Sequence, residues 1–217
     1  MPSKSVEDYL KQTFKLQEES ESVSFSQLAE KLKVSAPSVT QMVKKLEKEG
    51  LLKYTPYQGI ALTEKGKKIA IEVIRHHRLL ELFLSEILGL PLDKVDAEAE
   101  KLEHVISEEL EDIINERLGN PKMDPHGDPI PTKDGKFPKN RYTPLSEASQ
   151  GDKLIIKRIS DHDPEMVRHF YDLGLLPGVH LQLVEKAPFD GSLKVIVKDK
   201  EVIISFKSAH YIFVDFA

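Results

Sequence analysis

The stretch Ser24–Tyr54, SFSQLAEKLKVSAPSVTQMVKKLEKEGLLKY, decides how the first third of the chain folds. Leu28, Ala29 and Leu32 recur at helical spacing in its first half, and Val39, Met42, Val43 and Leu46 in its second. Ser26 is placed to cap a helix beginning at Gln27, and Ser35 to cap one from about Ala36 to Glu49. Gly50 stands where a helix C-terminal glycine belongs. The turn Lys33–Ser35 is short, so the two helices meet at the steep angle that lets the second enter a major groove. Its leading turns present Ser35, Pro37, Ser38, Thr40 and Gln41. Glutamine pairs bidentately with adenine, and serine or threonine reaches bases or phosphates. Lys44, Lys45 and Lys48 face the backbone side. A plain three-helix core with surface lysines is the competing reading of the same pattern.

Outward from this segment, the spacing of Val6, Tyr9, Leu10, Thr13 and Phe14 predicts a helix over 4–20. Leu51–Tyr54 and Ile60–Thr63 predict a hairpin whose tip, Tyr57 and Gln58, would be a wing against DNA. Long helices are predicted over 64–88 and 93–118, separated by Gly89-Leu90-Pro91. Prolines 121, 125, 129, 131, 138 and 144 make 119–151 an irregular linker. From Gly151 the pattern turns to period two, with KLIIKRI, VHLQLVE, LKVIVK, EVIISF and YIFVDF predicting five strands of a small barrel. Pro164–Leu173 reads as a helical insertion after the first strand.

Composition narrows the chemistry. The chain has 217 residues, 40% hydrophobic, which allows two or three small domains. It has no cysteine, so disulfides and thiolate ligands are excluded. No apolar run approaches a membrane span and the N-terminus lacks a signal-peptide core, so a cytoplasmic protein is expected. Residues 1–70 carry 12 lysines against 9 acids, whereas 71–118 carry 5 basic residues against 13 acids. A basic module followed by an acidic one suits a nucleic-acid surface coupled to a cation site, although acidic helices are commonly just solvated faces.

Three separated stretches hold residues of metal-ligand type: Asp8, then His77 and Glu81 in RHHRLLE, then Glu100, Glu103 and His104 in EAEKLEH. His77 and Glu81 are one helical turn apart on a largely apolar line, so a buried pair there needs either a cation or a simple mutual hydrogen bond. Glu100, Glu103 and His104 occupy i, i+3 and i+4, an arc one ion can bridge. Carboxylates at the edge of a packed face repel unless neutralised.

Taken together, VEDYLKQTFKL, VSAPSVTQMVKKLEKEGLL, LTEKGKKIA, RHHRLLELFL, AEAEKLEHVISEELED and NPKMDPHGDPIP resemble the diphtheria-toxin-repressor family, and within it the manganese-responsive regulators. The resemblance runs almost end to end. It implies an α+β multidomain protein: a winged helix-turn-helix over 1–70, a helical metal-binding and dimerisation domain over 71–140, and an SH3-like barrel over 150–217. It implies a principal metal site of Asp8, Glu100, Glu103 and His104. A companion site maps to His77, Glu81 and Asp96, with ligands donated by the barrel, for which Asp163 and Glu165 in SDHDPEM are the choices. Asp124 stands where some relatives place a cysteine ligand.

Two departures bear on the metal. Lys11 stands where the short manganese regulators carry a second carboxylate. Relative to iron-responsive members, Asp8 replaces methionine, Glu100 replaces cysteine and Asp96 replaces histidine. Oxygen ligands with one or two imidazoles favour Mn²⁺, with Fe²⁺ the alternative and Co²⁺ or Zn²⁺ possible in vitro. The function expected is a homodimeric repressor on palindromic operators of metal-uptake genes, with no membrane, no small organic substrate and no catalysis. Its rivals are a metallohydrolase, a winged-helix regulator of an organic ligand, and a barrel acting as an independent binding module.

Overall fold

Ser24, not Ser26, opens the helix pair. The Gln27 amide donates to the Ser24 hydroxyl while the Ser24 amide donates to the Gln27 side chain. This capping box satisfies two amides at once, which Ser26 could not do, so the helix starts two residues earlier than expected. Ser35 caps the second helix as predicted, and Lys33 ends the first in the left-handed conformation.

A computed structural model describes residues 2–20, 22–136 and 142–217. The expected end of the helical domain at residue 140, and Pro138 of the linker, lie outside the described residues. Two compact units result. The first holds the described residues up to His77, Leu102–Ser107 and those from Pro131 to Lys136. The second holds Arg78–Lys101, Glu108–Ile130 and the described residues from Tyr142.

In the first unit, α1 (Lys4–Glu19), α2 (Phe25–Leu32) and α3 (Ala36–Lys48) precede a hairpin of β1 (Leu52–Thr55) and β2 (Gly59–Leu62). Leu10, Leu28, Val39, Val43, Leu46, Leu52 and Ile60 form its core. Helix α4 (Glu64–Leu82) follows and runs into a π-helical turn at Phe83–Ile87.

The predicted helix over 93–118 is two helices, α5 (Leu92–Leu102) and α6 (Glu108–Arg117). Val105 and Ile106 both donate to the Leu102 carbonyl, which ends α5. The Glu103 carbonyl, which a continued helix would pair with residue 107, faces His76 Nδ1 at 3.2 Å instead. Glu103 and His104 therefore sit in a turn, not on a helical face.

The second unit carries an antiparallel sheet. Strands β3 (Thr143–Pro144), β4 (Lys153–Ile159), β5 (His180–Lys186), β6 (Leu193–Val197), β7 (Lys200–Ile204) and β8 (Ile212–Phe216) lie in the order β3-β8-β4-β5-β6-β7. The two-residue β3 adds one strand to the five expected. Helix α7 (Pro164–Asp172) is the predicted insertion, and α8 (Phe206–Ala209) precedes the last strand. Alternate residues Leu154, Ile156, Leu181, Leu183, Val195 and Val197 point into this second core, as a half-buried strand requires.

Candidate metal and DNA sites

His104 organises the first cluster. Its Nδ1–H donates to Glu7 Oε2 at 2.6 Å, which leaves the Nε2 lone pair facing inward. That Nε2 lies 2.9 Å from Asp8 Oδ1 and 3.2 Å from Glu103 Oε1, yet makes no hydrogen bond. Two carboxylate oxygens thus converge on the inward-facing imidazole nitrogen, an arrangement a divalent cation would satisfy. Glu7, which sequence reading missed, is the partner that orients the imidazole from behind, as is usual for a ligating histidine. Glu100, also expected here, lies on α5 in the second unit.

Glu103 is the joint of this cluster. Its Oε2 accepts from His77 Nδ1 at 2.5 Å, and its Oε1 accepts from Lys11 Nζ at 2.5 Å. Burial pushes its carboxyl up, but the hydrogen bond and charge of His77, joined by the Lys11 ammonium, more than reverse this and hold it below the usual glutamate range. His77 spends Nδ1 on Glu103, so Nε2 is its nitrogen available for ligation.

The second cluster lies in the loop after α6. Glu81, Asp124 and His126 are all buried and offer atoms within 4.8 Å of one another. His126 Nδ1 stands 3.5 Å from Glu81 Oε1 and has no hydrogen-bond partner. Asp124 Oδ1 accepts from the His126 and Asp128 amides at 2.9 Å each, while Oδ2 lies 3.6 Å from Arg78 Nε. Burial raises the Asp124 carboxyl well above the ordinary aspartate value, Asp128 and Glu81 add to this, and Arg78 opposes it. Asp96, on α5, also lies within 4.8 Å of Glu81, so Glu81 serves two alternative donor sets. His126 was missed because a lone histidine in a proline-rich stretch has no periodicity to mark it; its signal was the flanking Asp124 and Gly127.

Asp163 and Glu165 are not brought to any cluster among the described residues. Asp163 caps α7, its Oδ1 accepting from the Glu165 and Met166 amides, which commits the carboxylate to the helix start. Glu165 is exposed in the first turn of α7.

On the DNA-reading side, Ser35, Pro37, Ser38, Thr40, Gln41 and Lys44 are all exposed on α3. Ser35 and Thr40 are partly committed to their own helix: the Ser35 hydroxyl accepts from the Ser38 amide, and the Thr40 hydroxyl donates to the Ala36 carbonyl at 3.0 Å. Gln41 and Lys44 carry no such bond among those observed. Tyr57 projects fully into solvent from the hairpin tip, at φ +65°.

Residues 1–60 match the iron dependent repressor N-terminal DNA binding domain, 63–132 the iron dependent repressor metal binding and dimerisation domain, and 143–215 the FeoA domain. The iron-dependent repressor IdeR of Mycobacterium leprae is 31% identical over 223 residues, spanning 97% of this chain and 96% of that one. This chain belongs to the diphtheria-toxin-repressor family. A solved manganese-dependent transcriptional repressor in complex with manganese is 36% identical, covers 98% of this chain and 100% of its own, and superposes with a TM-score of 0.89. The manganese regulator SloR is 34% identical over all of both chains, with a TM-score of 0.77.

This diphtheria-toxin-repressor-family chain is therefore a metal-dependent transcriptional repressor with a DNA-binding domain, a dimerisation domain and an SH3-like domain. The family is one of repressors, not enzymes, which removes the metallohydrolase reading. Among the described residues no helix is long and apolar enough to cross a membrane. Leu102, Val105, Leu110 and Ile113 are exposed, whereas Ile106 is buried.

Proposed function

We propose that this repressor responds to manganese and, as a homodimer, closes palindromic operators of metal-uptake genes. The observation that carries the reading is the convergence of Asp8 Oδ1 and Glu103 Oε1 on His104 Nε2, at 2.9 and 3.2 Å. The donors are oxygens and one imidazole, with no sulfur, and such a set favours a hard ion by ligand type. When bound, the ion would supply positive charge that ties Asp8 of α1 to the Glu103–His104 turn. A DNA-binding domain fixed in this way presents α3 in one orientation, and a dimer then matches successive major grooves.

A second ion is proposed at Glu81, Asp124 and His126, with Asp96 and His77 as the alternative partners of Glu81. The orphaned His126 nitrogen supports the loop set. Exposed Leu110 and Ile113 of α6 supply apolar surface a dimer would cover.

The alternative is an iron-responsive repressor, favoured by the similarity to the iron-dependent repressor of Mycobacterium leprae over nearly the whole chain. Operator binding titrated at fixed salt in chelator, in Mn²⁺ and in anaerobic Fe²⁺ separates these readings. Half-maximal binding at a lower free Mn²⁺ than free Fe²⁺, judged against cellular levels, supports manganese; the reverse order assigns iron. Equal binding in chelator would refute metal sensing and leave an organic ligand as the signal.

A further inference from the structure

Among the described residues, one of the largest fully buried side chains is a lysine. Lys11, on α1, has no solvent exposure, and its Nζ lies 2.5 Å from Glu103 Oε1. That oxygen is the one 3.2 Å from His104 Nε2. A buried lysine is rare because an uncompensated ammonium is costly to desolvate, and it persists only with a paired carboxylate. Here the carboxylate it pairs with is also a donor of the proposed principal metal site. The ammonium and a bound ion must share one oxygen atom.

We infer that Lys11 is a detuning residue: a fixed internal cation that weakens metal binding at the Asp8–Glu103–His104 cluster and so sets the metal concentration to which the repressor responds. This rests on the metal-site reading above. Two effects run in the same direction. Like charges separated by a single oxygen repel strongly in a poorly screened interior. Lys11 also neutralises part of the Glu103 charge in the metal-free state, so less repulsion remains for an ion to relieve. The pair further ties α1 to the Glu103 turn without metal.

The flexible lysine stem softens the effect, since the ammonium can draw back when an ion arrives. The expected size is a tenfold or greater tightening on removing the charge, equivalent to about 1.4 kcal/mol.

The test compares full-length wild type with Lys11→Met, Lys11→Gln and Lys11→Arg. Mn²⁺ affinity is read from the electron paramagnetic resonance signal of the free ion, and folding from a thermal melt in chelator. Methionine fills the same volume without charge or donor. Glutamine keeps a donor to Glu103 without charge, and arginine keeps the charge. Tenfold tighter binding in both Met and Gln variants, with Arg near wild type, is the expected result. Glutamine binding no more tightly than wild type would overturn the inference, as would weaker binding in folded Lys11→Met. Saturable binding by wild type with no change in any variant defeats the Lys11 role alone; no binding by wild type defeats the metal site itself.

Discussion

Gly127→Ala should dislodge the loop that presents His126. The glycine has φ +91°, and a Cβ there would lie 2.0 Å from the Lys157 carbonyl oxygen and 2.8 Å from Arg158 Cα. Both are backbone atoms of β4, so no side chain can swing aside, and loop and strand must part by over an ångström. Left-handed backbone for alanine costs about 1–2 kcal/mol. Parting the surfaces also loses the Ile159 N–H bond to the His126 carbonyl, now at 2.9 Å, worth about 0.5–1.5 kcal/mol. The Arg158–Asp128 pair at 3.5 Å is partly exposed and adds about 0–1 kcal/mol. The total is about 2–4 kcal/mol against the loop's docked position. Since ligand distances must hold to within about 0.2 Å, metal binding at Glu81, Asp124 and His126 should fall by about 10–100-fold. Calorimetric Mn²⁺ titration should lose this binding event while the Asp8–Glu103–His104 event persists, and the Ile159 amide should exchange faster with solvent. A variant with wild-type metal stoichiometry and unchanged exchange at Ile159 would refute the coupling of strand to loop.

Asp8→Ala should leave a folded protein whose operator binding no longer responds to Mn²⁺; a preserved metal response in a gel-shift titration would rule out the α1 tether. Asp124 has a folded-state pKa above its unfolded value, so the metal-free protein takes up a proton on folding and loses stability as pH rises from the ordinary aspartate range, about 4, towards the folded value. Asp124→Asn should flatten that loss in chelator as pH rises above the ordinary aspartate value, about 4, and a difference in melting temperature between the two proteins that does not vary with pH would count against it. Gln41→Ala should cost about 1–3 kcal/mol on a specific operator and little on random DNA, whereas Lys44→Ala should weaken both and reduce the salt slope by about 1. Equal losses on both DNAs for Gln41→Ala would place that side chain on the backbone and not on a base.

How much of this was legible depended on what kind of signal each element leaves. The helix pair and wing follow from local rules: an apolar face repeats, a serine caps, a glycine terminates, and each acts within a few residues. Even there Ser24 outdid Ser26 because a reciprocal bond to Gln27 is stronger than the cap alone. The break between α5 and α6 left no local mark. It comes from His76, distant in sequence, facing the Glu103 carbonyl. Asp8, Glu103 and His104 were nameable through motifs in fixed order and by family resemblance, but Glu7 behind His104 and Lys11 behind Glu103 are contacts of the folded chain. Asp163 carries a local ambiguity: an aspartate just before a helical apolar face serves equally as a ligand or as a cap, and in the structure its Oδ1 caps α7.

That last result changes what the SH3-like domain does for metal binding. Sequence reading assigned it carboxylates, Asp163 and Glu165, as direct donors. In the structure its β4 backbone also contacts the loop that carries His126. Strand β4 lends its Ile159 amide to the His126 carbonyl and its Lys157–Arg158 backbone to a seat that only glycine fits. Arg158, stacked 3.8 Å over the Phe213 ring, reaches Asp128 of the same loop. Asp124 is meanwhile fixed by two loop amides, so the loop arrives at Glu81 already shaped. A donor set held by backbone contacts is sensitive to small shifts of the strand and insensitive to surface side chains. Loss of the second ion should therefore follow from displacing β4 even when every ligating residue is intact. Replacing Asp163 should cost only about 1 kcal/mol of helix capping. Asp163→Ala with unchanged metal stoichiometry, set beside Gly127→Ala with one ion fewer, would separate the two roles. Loss of an ion in Asp163→Ala would restore the direct-donor reading.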